Sequence, residues 1–180
     1  MERFTFKARF AGLAACSAMA AVLLVGCSAH APLASSGSSA ISGESADAQM
    51  SEAIAKAEKR VAKSPQSASA RVDLAQAYLT AGRFDSSATT FQDAMSLGEK
   101  DPRVALGLAL SYIGSGRNAE ALSLLSSHRA DIPVSDLGLA LALAGQPAQA
   151  VGLLSDAVRS GNDNPKTRQN LAYAYALNGR

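Results

Sequence analysis

Apolar and polar positions follow three different patterns along the chain. From Ala11 to Val25 the run is almost wholly apolar, built from Ala, Leu, Met and Val with single Gly, Cys and Ser residues. It is shorter than the about 20 residues a membrane-spanning helix needs. Arg3, Lys7 and Arg9 precede it, and this charged-then-apolar order predicts a secretory signal. Residues 28–49 are mostly Ser, Ala and Gly, as in the stretch from Ala34 to Ala40. Such text buries too little apolar surface to offset its ordering entropy, and it predicts a flexible tether. From about Met50 onward, helix formers dominate and Gly, Pro, Asn and Asp punctuate them. That pattern predicts an all-α domain with short turns.

Within the helical text the apolar positions repeat. Leu74-Ala75, Tyr78, Gly82 and Arg83 return 34 residues later as Leu108-Ala109, Tyr112, Gly116 and Arg117. Leu171-Ala172, Tyr175, Gly179 and Arg180 show the same spacing again, and Leu137-Gly138 with Gly145 supply a further copy. After each glycine comes a second set: Phe84, Phe91 and Ala94, then Ala121 and Leu125, then Ala150, Leu154 and Ala157. The period and these small-large-small positions resemble the tetratricopeptide repeat. The resemblance implies a helical solenoid in which each repeat is one helix pair. Pro65 stands where a repeat-ending proline belongs. Ser51 to Val61 is therefore expected to be the second helix of a partial leading repeat, with Ala53 at its small position.

The copies also depart from the pattern. There is no Trp, Ser87 replaces a small Ala, and His128 replaces the Ala near the end of a second helix. The step from Gly116 to Gly145 is 29 residues. A truncated helix around Ser126 to Pro133, with a local change of twist, is the expected consequence. The last copy stops at Arg180 after its first helix, which suggests a fragment or truncated product of a longer protein.

The apolar run closes on Leu24-Val25-Gly26-Cys27, which resembles the bacterial lipobox. Gly26 is small enough for a peptidase to approach, and the Cys27 thiol would accept the lipid. The alternative is an ordinary cleaved signal in which Cys27 is incidental. An Asp after the cysteine would resemble an inner-membrane retention signal, so Ser28 favours an outer-membrane anchor facing the periplasm. The expected layout is a signal peptide over 1–26, a lipidated tether over 27–49 and repeats over 50–180. Cys16 and Cys27 are the two cysteines, so the mature repeats carry no free thiol for a disulfide, a metal or a nucleophile. Loss of Arg3, Lys7, Arg9 and Glu2 leaves 14 basic and 14 acidic residues. A formally neutral chain without a basic stripe is a poor nucleic-acid binder.

No catalytic constellation stands out. His30 lies in the tether, His128 stands alone, and Gly98 and Gly161 fall where helix ends want glycine. The chain is expected to be no enzyme, with no cofactor, metal or small-molecule substrate. Carrying the family's groove positions across gives Val72, Gln76 and Leu79, then Arg103, Leu106, Leu110 and Ile113. Leu139 and Leu143 follow, then Lys166, Gln169, Tyr173 and Leu177. This groove would be apolar with a basic edge of Arg103, Lys166 and Arg168, suited to an amphipathic helix or apolar peptide. Missing C-terminal helices of the protein itself are the other candidate occupant. Val72, Gln76 and Thr80 stand where chaperone-tail binders carry a Lys/Asn clamp, which argues against that role.

The run from Asn164 to Arg180 looks like a stretch in the TadD lipoproteins of the tight-adherence (Flp) pilus system. The resemblance implies a pilotin-like role in assembling an outer-membrane secretin. Two other classes stay open: a different periplasmic scaffold for outer-membrane protein insertion or cell-wall remodelling, and the binding region of an enzyme whose catalytic domain lies beyond residue 180.

Overall fold

The computed structural model describes residues 43–179, and all the regular structure among them is helical. Cys27, the signal segment and most of the tether lie outside the described residues. Eight helices follow in order: α1 (Gly43–Lys63), α2 (Ala68–Thr80), α3 (Phe84–Ser96), α4 (Pro102–Gly114), α5 (Asn118–Ser127), α6 (Val134–Leu143), α7 (Pro147–Arg159) and α8 (Pro165–Leu177).

The turns explain the glycine spacing. Gly82 ends α2 at φ +70°, and Gly116 ends α4 at φ +78°, a region that costs a residue with a Cβ about 1 kcal/mol or more. In both turns the next amide reaches back over the helix end, Arg83 N–H to the Tyr78 carbonyl and Arg117 N–H to that of Tyr112. The reversal satisfies carbonyls that would otherwise be orphaned. Gly98, Gly145 and Gly161 close α3, α6 and α7 in the same way, with the amides of Glu99, Gln146 and Asn162 reaching back to the carbonyls of Ala94, Leu141 and Ala157.

Each helix packs on the next, and α2, α4, α6 and α8 also touch one another in series. These four form one wall, and α3, α5 and α7 lie on its other side. The large side chains between the layers are Phe91, Leu125 and Leu154, one from each helix of that second layer, and all are fully buried. Glycine makes room for two of them. A Cβ at Gly107 would lie 2.5 Å from the Phe91 ring, and one at Gly138 would lie 2.5 Å from Leu154. Ser87, Ala121 and Ala150 occupy one equivalent small position and are completely enclosed. The serine is tolerated because its Oγ donates to the Ala75 carbonyl at 2.8 Å and lies 2.8 Å from Ser111 Oγ. Thr167 is also fully enclosed, but its hydroxyl has no partner.

Three expectations need correction. Helix α1 begins at Gly43, inside the expected tether, because Met50 and Ile54 continue one face that rests near Ala81 and Arg83 at the end of α2. Ala53 is exposed, whereas Ile54 and Ala57 are buried against Leu74. Its small position packs on a preceding helix in other repeats, and none precedes α1 among the described residues. The shortening around residue 130 is shared: α5 and α6 have 10 residues each, against 13 in α3, α4, α7 and α8. His128 is too large for the enclosed site that Ala94 fills in α3. It caps α5 instead, half-exposed, 3.9 Å from the Asp131 carboxylate.

Candidate protein-binding face

Helices α2, α4, α6 and α8 carry every position expected to line the groove. On α2, Val72 and Leu79 are half-buried and Gln76 is exposed. On α4, Leu106, Leu110 and Ile113 are half-buried against the core, with Arg103 exposed. Leu139 on α6 is half-buried, and Leu143 is 36% exposed. On α8, Lys166 and Gln169 are exposed, Tyr173 is 43% exposed and Leu177 46%. None of these side chains is enclosed in the core. Their periodicity has a simple cause: each wall helix buries the side facing the second layer and leaves a narrow stripe on the other.

The apolar part of the wall is concentrated between α6 and α8. A cavity of about 440 Å³ opens there, lined by Leu139, Leu143, Gln169, Asn170 and Tyr173. Asn170 was not anticipated. It is 7% exposed, and its Nδ2 donates to the Ser135 carbonyl at 2.8 Å, joining α8 to the start of α6. A second cavity of about 380 Å³ lies between α2 and α4. Its lining includes Val72, Phe91 and Val104, together with Asp73, Glu99, Asp101 and Arg103.

The basic edge is not a free cationic strip. Arg103 is paired with Asp101 at 2.5 Å, Lys166 with Asp136 at 2.6 Å and Arg168 with Asp163 at 2.9 Å. Hydrogen bonds from the Arg103 guanidinium and backbone amide hold the Asp101 carboxyl below the usual aspartate range. Sequence spacing could have suggested Asp101 and Asp163, which are two and five residues from their partners. Asp136 meets Lys166 only because α6 and α8 lie side by side.

Two tetratricopeptide-repeat family models match the chain, one over residues 45–105 and the other over 102–126 and 133–155. The fold is a tetratricopeptide-repeat solenoid. The break between 126 and 133 falls on the shortened α5–α6 junction, and the first match begins inside α1. No curated protein and no solved structure matches the chain. Tetratricopeptide repeats are scaffolds for protein–protein contact. No described helix is long and apolar enough to cross a membrane.

Proposed function

We propose that this chain is a lipid-anchored, periplasm-facing scaffold that serves secretin assembly in a tight-adherence-type pilus system. The observation carrying the binding role is the apolar stripe of Leu143, Tyr173 and Leu177, the exposed large hydrophobics of the described residues. Large apolar side chains left in water on adjacent helices, beside an open cavity, suit a protein ligand better than a solvated surface. The anchor rests on Leu24 to Cys27, and two or more acyl chains there make attachment stable. The pilus assignment rests on the run from Asn164 to Arg180, within which Pro165–Leu177 is α8.

The test is formation of secretin multimers in the outer membrane of a strain lacking this protein. Multimers should disappear, return with the wild-type gene, and fail to return with Cys27→Ser or with Leu143→Asp/Tyr173→Asp. Normal multimers in the deletion strain would remove the pilus assignment and leave the scaffold. Full rescue by the double variant would remove the stripe as the binding surface, and normal lipid labelling of Cys27→Ser would remove the anchor.

A further inference from the structure

The wall changes character along its length. At the α6–α8 end, Leu139, Leu143 and Tyr173 enclose a space large enough for a bulky apolar side chain. Gln169 and Asn170 are its polar lining residues. The amide nitrogen of Asn170 is committed to the Ser135 carbonyl, while its Oδ1 accepts no hydrogen bond among the described residues; Asn170 lines the same cavity. A buried side chain with a spare acceptor beside three large apolar residues suits an N–H group of a ligand.

At the α2–α4 end the cavity has an apolar floor of Val72 and Val104 and a lining with three carboxylates against one guanidinium. Asp73 is paired with Arg60, and Asp101 with Arg103. Glu99 has no ion-pair partner among the described residues; its Oε1 accepts the amides of Lys100 and Asp101 at 3.0 and 3.1 Å. That combination complements a Lys or Arg, whose aliphatic stem lies on apolar surface while its head meets the carboxylates. Between the two ends, Leu106, Leu110 and Ile113 of α4 keep the wall apolar.

Resting on the protein-binding reading above, we infer that the wall holds one partner segment of mixed chemistry. The segment carries a large apolar side chain for the α6–α8 cavity and a Lys or Arg for the α2–α4 cavity. Charge complementarity favours this occupant over a second copy of the chain, because the wall cations of a copy are already paired with their own carboxylates.

The test pans a phage-displayed random-peptide library against the full chain in detergent micelles, then measures a synthetic consensus peptide by titration. Selected peptides should share a basic and a large apolar residue at a fixed separation. Affinity should fall about tenfold in Tyr173→Ala, the loss expected for one anchor. It should fall about twofold to fivefold in Glu99→Gln, an effect that fades at high salt. Both sites are at least partly exposed, and Gln keeps the acceptor oxygen, so circular dichroism should be unchanged. Peptides selected for apolar residues alone, or equal affinity in Glu99→Gln, would overturn the mixed-chemistry segment while leaving a protein-binding wall. Consensus binding that ignores Tyr173→Ala would overturn both. A dimer in sedimentation that Tyr173→Ala dissolves would assign the wall to a second copy and overturn the inference.

Discussion

Between α3 and α4 the chain reverses on Gly98 at φ +92°, Asp101 caps the new helix by accepting the Arg103 amide, and Phe91 lies against the bare backbone of Gly107. Between α5 and α6 the corresponding parts are missing. No glycine follows His128, the Arg129 amide reaches only 3.4 Å from the Ser126 carbonyl, and Pro133 at the α6 cap offers no side-chain acceptor. Both junctions bury an equivalent large residue, Phe91 in one and Leu125 in the other. The difference shows that a repeat can lose its turn chemistry and part of both helices while its central apolar residue stays enclosed. Leu125, buried Ile132 in the junction itself, and the Asp131 and Ile132 amides closing on the His128 carbonyl hold the shortened repeat in line.

The largest effect should come from removing those residues. Phe91→Ala should cost about 3–5 kcal/mol in urea unfolding, and Leu125→Ala about 2–5. If Leu125→Ala is the milder, the shortened junction already relaxes around the gap; if it is the harsher, its neighbours supply less support than those of Phe91. The turns should respond next. Gly98→Ala forces a Cβ into the left-handed region and should cost about 1 kcal/mol. Arg129→Gly should stay within about 0.5 kcal/mol, as a surface change does. Equal costs at both sites would erase the contrast between the two turns.

Acid should have the smallest effect and act on one junction. The Asp101 carboxyl is held low by its bonds from Arg103, so its contribution to stability is complete above the ordinary aspartate pKa of about 4. That contribution is lost as pH falls through the lower folded value. Amide exchange in the first turn of α4 should therefore speed up on acidification relative to the first turn of α7, which has neither a carboxylate nor a side-chain cap. Matching pH responses would show that the Asp101 cap contributes little to holding α4.

The helix pairs were legible in the sequence for a physical reason: a chain that must reverse at φ near +70° to +90° wants glycine whatever its partners are, so Gly82, Gly116 and Gly145 mark the period directly. The wall positions were legible because they follow from that register. The start of α1 was not, since small and polar residues such as Ser45, Ala46 and Gln49 suit a tether and a solvent-facing helix equally well. Nor was the neutralised edge: the Lys166–Asp136 pair depends on α6 and α8 being neighbours, which local spacing does not encode. Asn170 was missed for the same reason. A polar residue next to Leu171 gives no sign in one dimension that it reaches the Ser135 carbonyl.

A chain of near-identical helix pairs faces a particular hazard while folding, the docking of a helix onto the wrong copy of its partner. Ser87 and Ser111 bear on it. At the positions equivalent to Ser87 the other second-layer helices carry Ala121 and Ala150, and at those equivalent to Ser111 the other wall helices carry Ala77, Ala140 and Ala174. Only α3 against α4 brings hydroxyl to hydroxyl. Any other pairing would forfeit the Ser87–Ser111 hydrogen bond, worth about 1 kcal/mol, although each hydroxyl would keep its bond to the Ala75 or Gly107 carbonyl. Two serines thus act as an address, distinguishing one joint of a self-similar chain from the rest.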